Sequence, residues 1–332
     1  MEIDRLQQFL YQFASRKILV IGDLMLDRFI WGKVSRISPE APVPVVDVTR
    51  ESNYPGGAAN VARNLRAFCT DVRITGWTGN DEEGRTLVRL LEEEGISTAD
   101  LLADEEGTTT VKTRVFARQQ QVVRFDRERR LAPSQKIVDR AMEKISKALD
   151  EVDAVIFEDY GKGFLSQAFV RQIILQAKTK GRLVVADPNP HNPLDWEGAD
   201  VVKPNRSEAF SAAGIPWVEP VENPLKDHAL LEVAEVLARK WKLKNLLITL
   251  GEHGMLLYRM GKAPYHTPTR AREVFDVSGA GDTAISLFTL ALTAGAEMEE
   301  AAELANHASG IVIGKLGTAT LTREELMESL KR

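Results

Sequence analysis

The chain has 332 residues, 44% of them hydrophobic, a formal net charge of -5 and a single cysteine, Cys69. That length allows one large α/β domain or two smaller ones. The acidic balance argues against general nucleic-acid or membrane-surface binding. One cysteine excludes an intrachain disulfide and a cysteine metal cluster, and no apolar run reaches the roughly 20 residues that span a bilayer.

Residues 1–13 read as an acidic, polar amphipathic segment rather than a signal peptide, so the expected setting is the cytoplasm. A helix is predicted over 4–14. A buried strand follows at 17–22 (KILVIG), a continuous apolar run ending in glycine. Asp23 and Asp27 then lie just past its end, where open parallel sheets bind ligands. The alternative is that both are turn and cap residues.

Residues 29–51 change texture. Pro39, Pro42 and Pro44 interleave with Val43, Val45, Val46 and Val48, which suits edge strands and turns. A second β-rich insert spans approximately 108–127. Two such inserts in an otherwise alternating chain predict one core domain over 1–332 carrying a small sheet as a lid. Exposed lid edges invite pairing between subunits, so a homodimer through the lid is expected. Between the inserts, Gly56 and Gly57 of PGGAAN (55–60) open a helix with an apolar stripe at 58, 61, 62, 65 and 68. Asn60 projects from its first turn. The motif reads either as a glycine turn or as a close backbone approach to a polar ligand.

From about Ser134 the chain alternates: helix 134–149, strand 152–157, helix 166–180, strand 182–186 ending at Asp187, strand 200–202, helix 229–241, strand 245–250. This is the rhythm of a doubly wound, mostly parallel sheet flanked by helices. Near the end, DVSGAGDT (276–283) follows a short β-like run and opens an apolar helix from Ala280 to about Ala294. Free N–H groups and the positive end of that helix suit an anion, and Asp282 sits where a substrate hydroxyl reaches it. An anion cradle beside a base is what phosphoryl transfer to an alcohol requires. An ordinary aspartate is already ionised at neutral pH, so no large pKa shift is needed.

No P-loop pattern occurs. Residues 279–284 fit the looser G-x-G-x-x-A dinucleotide pattern, but the apolar helix is read as continuing into Glu297, Glu299 and Glu300. No ribose-binding acid then ends a second strand about 20 residues on. Asn205 and Glu208 stand three apart at a helix start, either as hard oxygen ligands for a hydrated magnesium or as an ordinary cap. Thr249, Gly251 and Gly254 (TLGEHG) end a strand either open to a ribose or phosphate or as a hairpin turn. The small residues of 303–317 permit close packing against a flat ring or the anion-binding helix.

PGGAAN at 55–60, KPNRSE at 203–208, TLGEHG at 249–254 and DVSGAGDT at 276–283 resemble, in this order, the ribokinase-like (PfkB) carbohydrate kinases. The resemblance implies ATP as phosphate donor and Mg2+ as cofactor. It implies Asp282 as general base and the N–H groups of Gly279, Ala280 and Gly281 as the anion hole. Asn205 and Glu208 would act on magnesium through water, and Thr249, Gly251, Gly254 and Asn306 would contact nucleotide. Asp23, Asp27, Gly56, Gly57, Asn60 and Asp187 would meet the sugar. Asp276 and Ser278, with the loop around 314–318, would hold a monovalent cation such as K+, as in some members.

Within the family, the stretches 22–28, 35–46, 112–114, 119–126 and 312–318 are similar to heptose 7-phosphate kinases, including the kinase half of bifunctional ADP-heptose synthases. That resemblance implies phosphorylation of the anomeric hydroxyl of D-glycero-β-D-manno-heptose 7-phosphate. The lid carries Arg36, Lys112, Arg114, Arg118 and Arg124, which suit a distal phosphate or else form a solvated face. Lys112, Arg114 and Arg124 alternate so as to share one face. Two departures stand out. Asn189 replaces the lysine of the synthase-like pattern, and no H-x-G-H motif occurs, so an adenylyl-transfer step lies elsewhere. A non-catalytic sugar-binding protein on the same fold is the rival from another class.

Overall fold

The computed structural model describes residues 3–118, 120–129, 132–270, 275–315 and 317–331. Gln119, Leu316 and most of the short run ahead of Asp276 lie outside the described residues. The first half runs α1 (Ile3–Phe13), β1 (Lys17–Gly22), β2 (Leu24–Ile37), β3 (Pro44–Gly57), α2 (Ala58–Arg66), β4 (Asp71–Thr75), β5 (Trp77–Gly79), α3 (Glu82–Glu93), β6 (Leu102–Asp104), β7 (Thr110–Ala117) and β8 (Gln120–Arg127). The second runs α4 (Gln135–Ala148), β9 (Ala154–Glu158), α5 (Gln167–Thr179), β10 (Leu183–Asp187), β11 (Val201–Val202), α6 (Arg206–Ala213), α7 (His228–Lys240), β12 (Asn245–Thr249), β13 (Met255–Arg259), β14 (Tyr265–Thr267), α8 (Ala280–Thr293), α9 (Met298–Val312) and α10 (Arg323–Lys331).

The strand runs are apolar on both faces because the main sheet is covered on both sides. Its eight strands are ordered β14-β13-β12-β11-β10-β9-β1-β4. All pairs from β12 to β4 are parallel, and β13 and β14 close one end antiparallel. Alternation along each strand splits the core in two. Ile18, Val20, Ile156 and Val185 pack with α1, α2, α8 and α9, whereas Leu19, Ile21, Phe157, Val184 and Ala186 pack with α4, α5 and α7.

A separate sheet, ordered β3-β2-β7-β8, carries the lid strands. It consists of two antiparallel hairpins joined by a parallel seam between β2 and β7. The first hairpin is longer than the 29–51 read from the prolines. Leu24, Met25 and Leu26 are buried and continue the extended backbone immediately after Asp23, so Asp27 lies inside β2 rather than in a loop past β1.

The apolar helix does not continue into the glutamates. It stops at Thr293, Gly295 turns the chain at a φ of 83°, and Glu297 and Glu300 form the capping box of α9. Small residues Ala301, Ala302, Ala305 and Ala308 let α9 lie close to α8, and Ser309 donates to the carbonyl of Ala280 at 3.1 Å. Among the described residues no helix is long and apolar enough to cross a membrane.

Candidate active site

A cavity of about 460 Å³ opens at the carboxyl ends of β9–β12 beneath the start of α8. Glu158 pairs with Asp187 across β9 and β10, and Lys203 follows the paired Val202 of β11. Each stands two residues beyond a core residue on the α8 side (Ile156, Val185, Val201), so all point toward that helix. Lys203 Nζ lies 2.6 Å from Asp187 Oδ2 and its side chain is only 3% exposed. Burial opposes its charge, but Asp187 and Glu158 beside it hold its pKa raised. Burial, tempered by Lys203, pushes Asp187 up to about 6. Burial and the neighbouring Asp187 and Asp282 drive Glu158 well above the usual carboxylate range. Its Oε2 is buried without a hydrogen-bond partner among the described residues.

The α8 N-terminus lies over this row. Gly279 caps the helix at a φ of 81°, and a Cβ there would come within 2.7 Å of Asn60 Nδ2. Glycine is therefore required by both conformation and space. Gly279, Gly281 and Asp282 line the cavity. The Ala280 N–H is turned inward and donates to the Val277 carbonyl at 3.3 Å, so of the three amides expected in an anion hole this one is occupied.

The Asp282 carboxylate is buried, with Oδ2 accepting from Asn60 Nδ2 at 2.6 Å and Oδ1 from the Tyr160 hydroxyl at 2.9 Å. Burial raises its pKa to about 6 against the pull of those two donors, where an ordinary aspartate was expected. Buried hydrogen bonds from Thr283 to Asn64 and from Ser286 to the Val61 carbonyl lock α8 onto α2.

Several residues expected at the sugar are used inside the protein. Asp23 accepts from three backbone amides, Tyr160 and Lys162 on Oδ2 and Phe164 on Oδ1, and so anchors the loop after β9. Asn60 faces Asp282 rather than an open site. Asp27 Oδ1 pairs with Arg114 at 2.6 Å, and Gly56 is glycine because a Cβ would lie 2.3 Å from Asp27 Oδ2. Gly57 has a φ of 60°, and its missing Cβ would lie 3.4 Å from the Tyr160 ring. Lys112 Nζ sits 5.1 Å from the centre of that ring.

On the lid, Arg114 stands directly opposite Arg124, and Lys112 opposite Asp126, so the three cations share one face as their alternation predicts. Arg124 pairs with Asp126 at 3.2 Å. Arg36 and Arg118 do not join them: Arg36 is exposed toward the far end of β2, and Arg118 forms the β7–β8 turn at a φ of 58°. The same face carries Phe29, Trp31 and Phe116 in a stack, with Arg114 over Phe29 and Arg50 over Trp31.

On the opposite side, Asn205 and Glu208 form a reciprocal capping box at the start of α6. Asn205 Oδ1 accepts from the Glu208 amide and Glu208 Oε2 from the Asn205 amide, so the cap alternative is realised while both residues still line the cavity. Thr249 and Gly251 line it too, at the β12–β13 hairpin. Gly254 does not: a Cβ there would lie 2.0 Å from the Thr267 carbonyl, which explains the glycine by backbone packing. Asn306 also turns inward, donating to Thr267 Oγ1 and to the Pro268 carbonyl. Asp276 accepts from the Ser278 and Gly317 amides and ties two loops together. Asn189 lines the cavity where the family pattern has lysine, and the buried cation there is Lys203.

Tyr160, Glu158, Asp159 and Lys203 were missed as site residues. The rule that singled out Asp187, an acid closing a parallel strand, applies equally to Glu158–Asp159–Tyr160 at the end of β9.

Fold and site together describe a phosphotransferase of the ribokinase-like type. The fold matches a ribokinase from Arabidopsis thaliana complexed with ribose and ATP (TM-score 0.71, 18% identity, 96% of this chain and 100% of that one). It also matches phosphofructokinase-2 from Escherichia coli in complex with potassium (TM-score 0.76, 19% identity, 96% and 99%). The pfkB family carbohydrate kinase model matches residues 15–325, and the chain belongs to that family of kinases. It is 40% identical over 333 residues to the bifunctional protein HldE of Desulfatibacillum aliphaticivorans, covering 100% of this chain and 66% of that protein. It is 42% identical over 314 residues to the HldE of Helicobacter hepaticus, covering 95% and 64%. The chain thus spans just under two thirds of the length of these relatives.

Proposed function

We propose that this kinase transfers the γ-phosphate of ATP to the anomeric hydroxyl of D-glycero-β-D-manno-heptose 7-phosphate, giving the 1,7-bisphosphate. One observation carries the reading. The Asp282 carboxylate, in the first turn of α8, lines the same cavity as Glu208, and Lys112 of the cationic lid face stands over the ring of Tyr160, which lines that cavity too. A base, a helix N-terminus and a phosphate-binding face are the three elements that the transfer needs. The identity to the HldE proteins along the whole chain supports heptose as the sugar.

In this mechanism Asp282 takes the hydroxyl proton. The free amides at the start of α8 and the Lys203 ammonium, close to Gly281, stabilise charge on the transferring group. The donor set fits hydrated magnesium: Glu208 keeps one carboxylate oxygen outside the capping box, Asp187 adds a second hard-oxygen group, and Asn205 orients Glu208. Bound there, magnesium would neutralise phosphate charge. Thr249 and Gly251 would contact the nucleotide. The Asp276 and Ser278 loop would take the monovalent cation.

Lys112, Arg114 and Arg124 would hold the distal phosphate, with Arg114 exchanging Asp27 for it. The lid would also form a homodimer through its opposite face, since Val34, Val48, Val123 and Phe125 are exposed there. Cytoplasmic chemistry and a separate adenylyltransferase acting on the product complete the reading. The test is turnover of a panel of sugars and sugar phosphates with ATP and magnesium, the product located by phosphorus NMR. A 1,7-bisphosphate from the heptose substrate is expected. Turnover of fructose 6-phosphate with none of the heptose would overturn the sugar assignment.

A further inference from the structure

Four residues read from the sequence as separate sugar contacts, Asp23, Gly57, Asn60 and Lys112, lie around the Tyr160–Asp282 pair, and Tyr160 carries no motif. Asp23 accepts the Tyr160 backbone amide at 2.9 Å, and one edge of the ring lies beside Gly57. Lys112 reaches over the ring from the lid, and the hydroxyl meets Asp282 Oδ1 at 2.9 Å while Asn60 holds Oδ2. A tyrosine held at its backbone, its ring and its lid side has no freedom to swing its hydroxyl away.

We infer that Tyr160 is a positioning residue for the base: its hydroxyl, with the Asn60 amide, fixes the plane of the Asp282 carboxylate and keeps it ionised, so that a free lone pair faces the substrate hydroxyl. The inference rests on Asp282 being the base. Burial and Asp187 oppose charge on Asp282, whereas its two hydrogen-bond donors and Lys203 favour it. Glu158 and Asp187 face it from β9 and β10, Lys203 from β11, and Lys112 stands beyond the ring on β7. Burial without donors would leave such a carboxyl protonated. A hydroxyl donating to a carboxylate favours the ionised form, so losing it raises the pKa of Asp282.

The test uses the full chain with its aspartate carboxyls labelled with carbon-13. Asp282 is titrated by NMR in wild type and in Tyr160→Phe, with Asp282→Asn assigning the signal. The pH profile of kcat/KM is measured in parallel with the best sugar phosphate of the panel. In Tyr160→Phe the Asp282 titration and the acid limb of kcat/KM should both move up by about one pH unit. kcat should fall roughly tenfold, and KM for ATP should stay the same. Should the phenylalanine variant misfold, 3-fluorotyrosine at position 160, a stronger donor, should move both downward.

An unmoved Asp282 titration overturns the inference. So does a moved titration with an unmoved acid limb, which would make the hydrogen bond structural only. Full turnover by Asp282→Asn would instead overturn the base itself, and that outcome is read from a different variant.

Discussion

The carboxyl edge of the main sheet and the inner face of the lid both carry charged residues that the sequence pointed to, yet they hold them in opposite ways. At the sheet edge Lys203, Asp187, Asp282 and Asp23 are enclosed and answered. Lys203 pairs with Asp187, Asp282 has two donors, and Asp23 has three. On the lid, Arg114 stands opposite Arg124 on strands of which one, β8, is exposed along its whole length. Like charges facing each other across strands are unfavourable. The edge therefore holds its ion pairs out of water, whereas the lid sets two arginines side by side, on Asp27 and Asp126, at a more open surface, where the proposed anion would be an alternative partner.

Substitutions test that contrast. Asp282→Asn should lose about 10³-fold or more in kcat while remaining folded, as removal of a base and charge-stabilising group does. Its folded-state pKa of about 6 lies above the unfolded value, so Asp282 favours folding most at low pH, and that contribution is lost as pH rises through 6. The variant should therefore melt higher than wild type at pH 8, by the equivalent of about 1 kcal/mol, with the difference closing near pH 4. Calorimetry across pH checks the sign. A preorganised edge would be disproved by a variant that melts lower at pH 8 yet equals wild type at pH 4.

Lys203→Met should remove about 3 kcal/mol of stability, because it strands Asp187 beside Glu158 in a buried site, and should slow turnover as well. Urea unfolding measures the first effect, and an unchanged midpoint would mean that the row is no more than a solvated cluster. On the lid the effects should fall on substrate affinity instead. Arg114→Ala should raise KM for a phosphorylated sugar about tenfold, leaving KM for ATP and thermal stability near wild type. An equal effect on an unphosphorylated analogue would show that the arginine serves Asp27 rather than a phosphate. Smallest in stability is Phe125→Asp, at a side chain that is 55% exposed: unfolding should shift by less than about 0.5 kcal/mol. Light scattering should nonetheless report a monomer for this variant and, on the proposed pairing through the lid, a dimer for the wild type.

What could be read in advance follows the same divide. The sheet strands were legible because long apolar runs such as KILVIG have no alternative in a covered parallel sheet. Asp282 and Asp187, both of which line the cavity, could be singled out because a glycine-rich turn or a strand end marks the position. Tyr160 escaped because its importance comes from what surrounds it in space, with Asp23, Gly57, Lys112 and Asp282 drawn from remote parts of the chain. Asp23 and Asn60 have partners within the chain that the sequence did not point to, since a residue type at a strand end or in a first helical turn announces a polar partner and not which one. Gly254 and Asn306 looked like nucleotide contacts for the same reason. Only the packing of β13 and β14 reveals that they satisfy backbone.

The parallel seam between β2 and β7 also bears on the order in which the molecule assembles. Each lid hairpin is local in sequence, but the seam joins Met25 to Thr110 and Gly32 to Ala117 across α2, α3 and their strands. Contacts so distant along the chain close late, after the intervening elements have compacted. Hydrogen-exchange labelling during refolding should therefore protect the amides paired within each lid hairpin before those of the seam, and those of the still more distant β1–β9 pairing, which joins Ile18 to Ala154, no earlier than the seam. Each hairpin would then form as a local unit, and the two would be joined into one sheet only once the chain between them has compacted.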